Sequence, residues 1–108
     1  MAKRFCKRPW GWWLVVLDRK HFKVKLLRFK RGGKLSNQYH QHRKELWLIL
    51  SGTGMMIGPD ESDYLLMEPG DAHLVYEMQR HEFEAWRTTW VLEVQYGQRC
   101  DERDIYRV

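Results

Sequence analysis

The chain has 108 residues, is 44% hydrophobic and contains six tryptophans, which is typical of one folded domain rather than a disordered segment. It has no apolar run near the roughly 20 residues that span a bilayer, and its start lacks the apolar core of a secretion signal. We therefore expect a cytoplasmic protein in which Cys6 and Cys100 are reduced thiols, with a disulfide between them as the alternative.

Charge is unevenly distributed along the chain. Residues 1–34 contain 12 of the 19 Lys and Arg residues and only one acid, Asp18, although the net charge of the whole chain is only +5. A basic half of this kind favours an anionic partner such as phosphate, a sugar phosphate or nucleic acid. Its first part, residues 1–7, is predicted to be a basic and disordered tail, and residues 8–108 are predicted to form the domain.

Short strand-like segments follow one another along the chain, separated by turns. In "FKVKLLRF", Lys23 and Lys25 alternate with apolar residues, and in "WVLEVQY", Glu93 lies on the face opposite Val94. This period of two, with frequent turns, predicts an all-β sandwich or barrel. Only the end, "CDERDIYRV", could form a helical turn. The predicted strands are 12–17, 22–30, 35–41, 46–50, 54–57, 64–67, 73–76, 81–86 and 89–96.

The stretch "NQYHQHRKELW", residues 37–47, is rich in side chains that can bind a metal: Gln38, His40, Gln41, His42 and Glu45. On a strand, Gln38, His40 and His42 share one face. If Arg43 occupies a tight turn, a hairpin forms in which His40 lies opposite Glu45, close enough for both to bind one ion. The alternatives are a polar cross-strand pair without a metal and, for Gln38, a hydrogen-bonded interior amide.

This stretch resembles the first motif of the cupin family. That motif runs Gly, five residues, His-x-His, three or four residues, Glu, six residues, Gly. Here the pattern runs from Gly32 through Gln38, His40 and Glu45 to Gly52, with Gln38 in place of the first His. In the second cupin motif, a His follows Pro-x-Gly with two residues between the Gly and the His. The spacing from Gly70 to His81 matches it, but "YEM" (76–78) replaces Pro-x-Gly, so we expect an altered loop there.

Several segments narrow the resemblance to the cupin domain of type II mannose-6-phosphate isomerases. These segments are "KRPWGWW", "FKVKLLRFKRGGKLSNQYHQHRKELWLILSGTG", "EPGD" and "DERDIYRV", which occur in order over residues 7–108. The resemblance implies a single-domain cupin, that is, a double-stranded β-helix or jelly-roll barrel. In bacteria this domain usually follows a mannose-1-phosphate guanylyltransferase domain, which we do not expect here. Cupins commonly pair through their sheets, so the resemblance also implies a homodimer.

The resemblance implies metal-dependent interconversion of mannose 6-phosphate and fructose 6-phosphate, or of a related aldose and ketose phosphate pair. It implies a divalent metal, with zinc preferred and manganese, cobalt, nickel or iron also suited to nitrogen and oxygen ligands. The implied metal ligands are Gln38, His40, Glu45 and His81. Glu93 is the implied base, and His42 is a candidate for proton transfer or for replacing Gln38. The implied substrate-binding residues are Arg8, Lys25, Arg43 and Trp10.

Other interpretations remain open at this point. His81 could be a surface residue, Glu93 could be an acceptor for Lys25, and the tryptophans could all be core residues. The main alternative function is a noncatalytic cupin that binds a phosphorylated sugar or a nucleotide. A metal-dependent dioxygenase is a third class. Nucleic-acid binding is disfavoured because the positive charge comes without a recognisable motif, and no membrane association is expected.

Overall fold

The computed structural model describes residues 4–60 and 62–108, which form an all-β fold without a helix in these two ranges. The described part of the chain accordingly contains no helix that could cross a membrane. The strands are β1 (Phe5–Arg8), β2 (Gly11–Asp18), β3 (Phe22–Phe29), β4 (Lys34–Tyr39), β5 (Arg43–Ser51), β6 (Gly54–Ile57), β7 (Tyr64–Met67), β8 (Ala72–Val75), β9 (His81–Ala85), β10 (Thr89–Gly97) and β11 (Tyr106–Arg107).

The strands form two antiparallel sheets that enclose the core. The first sheet has the order β1-β2-β3-β10-β5-β8, and the second has the order β11-β4-β9-β6-β7. Each of the nine predicted strands corresponds to an observed one, and the bounds of β6 and β7 are the predicted ones. The predicted class, an all-β barrel, is confirmed.

The inner face of the first sheet is divided into an apolar end and a polar end. Along β10, the buried residues Val91, Glu93 and Gln95 lie opposite Leu27, Lys25 and Lys23 of β3. On the other side of β10, the inward residues of β5 change in the same way, from Ile49 and Trp47 to Glu45 and Arg43. The predicted alternation is therefore present, and its polar members point into the barrel at one end.

Aromatic residues fill the apolar end. Trp10 stacks on Phe29 with ring centroids 4.3 Å apart, and Phe83 packs edge-on against Phe29 at 4.9 Å. Trp47 is fully buried beside them. The simplest interpretation held that all six tryptophans are core residues. This is wrong for one of them. Trp86 is 48% exposed, because it follows β9 in a surface turn.

The predicted hairpin in residues 37–47 is wrong. β4 pairs with β9 and β11 in the second sheet, whereas β5 pairs with β10 and β8 in the first. Residues 40–42 therefore carry the chain from one sheet to the other. His40 approaches Glu45 across the interior and not as a cross-strand neighbour, because closing a two-sheet barrel requires strands to change sheets.

Two strands near the ends of the chain were not predicted. β1 pairs with β2 through residues 5–8, so that residues 5–7, predicted as part of a tail, belong to the first sheet; residues 1–3 lie outside the described residues. β11 pairs with β4 at Tyr106–Tyr39 and Arg107–Gln38. The end of the chain thus contributes an edge strand after a bend and one turn, where the sequence allowed a helical turn.

Candidate metal centre

Three predicted ligands meet inside the polar end of the barrel. His40, Glu45 and His81 each offer one ligand atom, and these atoms lie within 4.8 Å of one another. Nε2 of His40 is 3.0 Å from Oε2 of Glu45, and Nε2 of His81 is 3.6 Å from Oε1. All three side chains are buried, so His81 is not the surface residue that its weak motif allowed.

The histidine nitrogens fit a metal. Nδ1 of His40 lies 2.6 Å from the carbonyl oxygen of Asp104 and donates to it in the neutral ring, which leaves the Nε2 lone pair directed at Glu45. Nε2 of His81 is buried and lacks a hydrogen-bond partner among the described residues, and Nε2 of His40 lies 3.0 Å from Oε2 of Glu45. Buried polar atoms rarely stay unpaired. Two imidazole nitrogens and a carboxylate suit zinc, manganese, iron, cobalt or nickel.

Glu45 is held as a carboxylate. It accepts hydrogen bonds from Nε of Arg43 at 2.9 Å and from Nε1 of Trp47 at 3.1 Å. Burial by itself would raise the pKa of Glu45, but the charges of His40 and Arg43 outweigh it and hold this pKa well below its usual value. A charged carboxylate is the form that a metal requires.

The two histidines differ in their proton affinity. Burial lowers the pKa of His81 to about 4, so this ring is neutral at physiological pH. Burial also acts to lower the pKa of His40, but the adjacent Glu45 carboxylate more than offsets it, and the pKa is raised above its ordinary value. His40 therefore holds a proton more strongly than His81 does.

A cavity of about 240 Å³ opens beside the ligands. Gln38 lines it from β4 next to His81, and its Nε2 donates to the Ser36 carbonyl at 3.3 Å. The cavity brings together most of the residues predicted for the site, namely Arg8, Trp10, Lys25, Gln38, Arg43, Glu45, His81 and Glu93. His40 lies behind Glu45. Most of the predicted site residues thus line one cavity.

Glu93 is a buried carboxyl group in this cavity. Burial and the nearby charge of Glu45 raise its pKa to about 7, although Lys25 and Arg43 act in the opposite direction. Its Oε1 accepts a hydrogen bond of 2.6 Å from Nε2 of Gln95. The alternative interpretation held that Glu93 is an acceptor for Lys25. Lys25 instead donates to Glu102.

The predicted phosphate-binding residues lie in different environments. Arg43 is buried, and its guanidinium donates to Glu45 and, at 2.7 Å, to the Asp101 carbonyl. Part of the guanidinium is thus bonded inside the protein, and its predicted role in binding phosphate stays a prediction. Arg8 is exposed at the cavity wall and makes no ion pair within the described ranges.

His42 is not brought into the site. It lies in the crossing between β4 and β5, half-buried, and its backbone N–H donates to Oδ2 of Asp104 at 2.8 Å. Among the described residues it does not line the cavity. The predicted role in proton transfer or metal binding has no geometric support, because the chain changes sheets here and no longer follows the alternation of a strand.

Sequence reasoning missed the segment after β10. Glu102 pairs with Lys23 and Lys25, and the buried Asp104 accepts hydrogen bonds from the backbone N–H groups of Gln41 and His42. The signal available in the sequence was "DERD" near the end of the chain, facing two lysines that alternate on β3. Since these partners are 62 to 79 residues apart, no local pattern identified them.

The altered second motif forms a strained loop. Met78 has φ +66°, a left-handed conformation that glycine tolerates better. It occupies the position at which the cupin motif has its glycine. The Met78 N–H donates to the carbonyl oxygen of His40 at 2.7 Å. The loop therefore contacts the backbone of a candidate metal ligand.

A two-sheet barrel with a buried His-Glu-His group and a polar cavity defines a cupin. The solved structures of KdgF from a Halomonas species (TM-score 0.78, 17% identity, covering 85% of this chain and 84% of that one) and of an RmlC-like cupin from Desulfovibrio desulfuricans (0.71, 21%, 86% and 82%) share the fold. Residues 2–108 match the family described as mannose-6-phosphate isomerase, C-terminal. The chain belongs to this family.

The curated relatives are longer proteins. A mannose-1-phosphate guanylyltransferase from Klebsiella pneumoniae is 36% identical over 108 residues, which cover 94% of this chain and 21% of the relative. The alginate biosynthesis protein AlgA from Pseudomonas aeruginosa is 33% identical over 102 residues, with the same coverage of 94% and 21%. This chain thus spans about a fifth of the length of the curated relatives that it matches.

Proposed function

We propose that this cupin is a metal-dependent isomerase that interconverts mannose 6-phosphate and fructose 6-phosphate, or a related aldose and ketose phosphate pair. The observation that carries the proposal is that Glu45, His81 and Glu93, whose pKa lies near 7, line one cavity, and that Nε2 of His40 lies 3.0 Å from Glu45. A general base works best when its pKa lies near the operating pH. Family membership supports the same reaction class.

The proposed reaction moves one proton between neighbouring carbons. A divalent metal, for which we propose zinc, would be held by His40, Glu45 and His81 with Gln38 as fourth ligand, and would polarise the sugar carbonyl. Glu93 takes the proton from carbon 2 of the aldose and returns it to carbon 1. The hydroxyl proton on oxygen 2 moves to oxygen 1, so that no atom is gained or lost. Gln95 orients Oε1 of Glu93 and leaves Oε2 for the transfer.

The cavity walls suit a phosphorylated sugar. Arg8 and Lys25 supply positive charge, and Trp10 supplies an aromatic surface against which a sugar ring can stack. The cavity also excludes most solvent, since Glu45, Glu93 and His81 are all buried. We do not assign Arg43 to phosphate, because part of its guanidinium is already bonded to Glu45 and Asp101.

The proposal is tested by NMR in D₂O. Purified protein is mixed with mannose 6-phosphate and zinc, manganese, cobalt or nickel, and formation of fructose 6-phosphate and deuterium at the transferred position are followed. We expect the wild type to turn over substrate. Glu45→Gln should lose both turnover and metal binding, whereas Glu93→Gln should lose turnover and still bind metal. Glu84→Gln, which changes the same charge on the outer side of β9, should behave as wild type. No product from metal-loaded wild type would refute the isomerase.

A noncatalytic cupin that binds a phosphorylated sugar or a nucleotide is the second candidate. One observation favours it: Arg43 and Trp47 already satisfy the Glu45 carboxylate without a metal. A binding module of this kind would keep ligand-induced thermal stabilisation after chelation of metals. An isomerase with a metal in its substrate site would lose most of this stabilisation after chelation. Thermal unfolding with and without mannose 6-phosphate, before and after EDTA, separates the two.

We further propose that the protein is a homodimer that pairs through the outer face of its first sheet. Apolar side chains cover this face on β2, β3, β10 and β5, and several are more than a third exposed: Leu14, Val16, Phe22, Leu50 and Tyr96. Large exposed apolar patches on soluble domains mark interaction sites. A second copy supplies a surface of the same character, and a stable dimer needs about 800 Å² from each partner.

A further inference from the structure

Two lysines are buried inside the barrel and share one carboxylate. Lys23 and Lys25 point inward from β3, and each side chain is 6% exposed. Nζ of Lys23 lies 3.1 Å from Oε2 of Glu102, and Nζ of Lys25 lies 2.8 Å from Oε1. Lys25 is also fixed over the ring of Trp13, with Nζ 3.9 Å from the ring centroid. Both ammonium groups are thus positioned toward the same two oxygen atoms.

Glu102 stands between two spaces. It lines the inner cavity beside the candidate metal ligands, and it also lines an outer cleft of about 970 Å³. Lys25 faces the inner cavity and Lys23 faces the cleft. The carboxylate therefore occupies the point at which a group entering from the cleft would meet both lysines.

One carboxylate, that of Glu102, forms the ion pairs of both ammonium groups. Glu93 lies opposite Lys25 on β10 and interacts with it through its charge, but it forms no ion pair with either lysine among the described residues. A phosphate dianion in place of the carboxylate would neutralise both lysines. It would also offer three acceptor oxygens where the carboxylate offers two. The arrangement of the two ammonium groups thus suits a phosphate as well as the carboxylate that now occupies it.

We propose that Lys23 and Lys25 form the phosphate-binding site of this cupin, and that Glu102 fills it as a competing carboxylate until the ligand phosphate displaces it. This inference rests on the proposed sugar-phosphate ligand and goes beyond it by assigning the anion site and its internal competitor. It adds Lys23, which lines the outer cleft, to the candidate binding residues and gives the segment after β10 a function in ligand entry.

The displacement requires only the side chain of Glu102 to move. On one side, the Asp101 carbonyl accepts from Arg43, and on the other, the Asp104 carboxylate accepts from the Gln41 and His42 backbone. These contacts hold the segment in place while the side chain rotates outward. The outer cleft offers the departing carboxylate new cationic partners, since Arg19, Lys20 and Arg99 line it.

The test is calorimetric binding of mannose 6-phosphate, inorganic phosphate and mannose at one ionic strength. Glu102→Gln keeps the shape and removes the competing charge, so both phosphate ligands should bind about tenfold more tightly, as expected for loss of a charged hydrogen-bonded competitor. Lys25→Gln should weaken both by at least about tenfold. Mannose should bind equally to all variants.

Glu77→Gln is the matched control, because it makes the same charge change in an exposed pair with Lys44 at 3.9 Å. Equal or weaker phosphate binding by Glu102→Gln, relative to Glu77→Gln, would overturn the inference. If Glu102→Gln does not fold, Glu102→Asp, which is too short to reach both lysines, should show an intermediate gain, and no gain would again refute it. Binding is scored apart from turnover, so an inactive protein that binds phosphate as described would refute only the isomerase.

Discussion

Arg43 and Glu45 form a buried ion pair on one strand, with Nη2 of Arg43 2.8 Å from Oε2 of Glu45. Residues two apart on a strand share a face, so β5 places the cation directly beside a candidate metal ligand. The pair gives Glu45 its charge in the absence of metal, and it competes with a metal for the same oxygen.

Replacing Arg43 should destabilise the protein and increase its dependence on metal. Arg43→Met leaves Glu45 buried without its cation, which should lower the free energy of unfolding by about 3 kcal/mol. Added zinc should restore more stability to the variant than to the wild type, since the ion replaces the lost charge. Urea unfolding with and without zinc measures both effects. Lys44→Gln, in an exposed pair, should cost at most about 0.5 kcal/mol, and an equal loss in both variants would contradict the prediction.

Below the raised pKa of His40, metal binding should release about one proton. The pKa of His40 is raised above its ordinary value, so its ring is protonated there and a metal must displace that proton. Burial lowers the pKa of His81 to about 4, so this ring is already neutral. Metal affinity should therefore fall as pH drops through the raised pKa of His40. Calorimetry in buffers of different ionisation heat counts the protons, and release of two would show that His81 is also charged.

Asp104 should be needed for metal affinity without touching the metal. Its carboxylate holds the backbone of Gln41 and His42, and its carbonyl orients the ring of His40. Asp104→Ala removes the first contacts and loosens the second, so metal affinity should fall about 10- to 100-fold. Asp101→Ala is the control, since the Asp101 carboxylate bonds only to the side chain and backbone of Arg103 among the described residues. Equal losses of metal affinity in both variants would show that Asp104 has no specific role in metal binding.

Met78→Gly should stabilise the protein. A residue with a side chain pays about 1–2 kcal/mol in the left-handed conformation that Met78 adopts, whereas glycine does not. Part of this gain is lost to the greater freedom of glycine in the unfolded chain, which leaves about 0.5–1 kcal/mol. The side chain is 58% exposed, so little packing is lost. Met78→Ala keeps the strain and should give no gain in Tm; a gain equal to that of glycine would show that strain is not the cause.

The proposed dimer should dissociate when its apolar face is charged. Val16→Lys introduces a cation on the outer face of the first sheet, where a second copy would bury it unpaired. Light scattering during gel filtration should give twice the chain mass of 13.2 kDa for the wild type and the single mass for the variant. Leu65→Lys, at a similarly exposed site on β7 of the other sheet, should remain dimeric. A monomeric wild type would refute the proposed dimer.

The strands were predictable because their signal is local. Period-two alternation around Lys25 and Glu93 places these residues on the face opposite their apolar neighbours, whatever the rest of the chain does. The spacing of Gln38, His40 and Glu45 resembled a known motif, and the family match covers the same residues. His81 was harder to predict, since its motif had lost Pro and Gly, yet its spacing still singled it out, and its Nε2 lies 3.6 Å from Oε1 of Glu45.

The errors arise where distant segments decide the structure. The predicted hairpin between His40 and Glu45 rested on a local turn, but strand partners are selected by the packing of two whole sheets. The role assigned to His42 failed with the hairpin, because that role assumed a continuous strand. Arg43 has the sequence context of a phosphate ligand and is nevertheless engaged with Glu45 and Asp101.

By itself, the sequence determined the all-β class and the nine strands that its alternation predicted, because alternation is a property of a few neighbouring residues, and its resemblance to the cupin motifs pointed to His40, Glu45 and His81 as candidate metal ligands. Only the tertiary structure decided which side of each strand faces inward, and that the inward lysines of β3 meet Glu102 from 77 to 79 residues away. A buried charge must find its partner wherever the fold supplies one. That partner is set by the closure of the barrel and not by the neighbouring sequence.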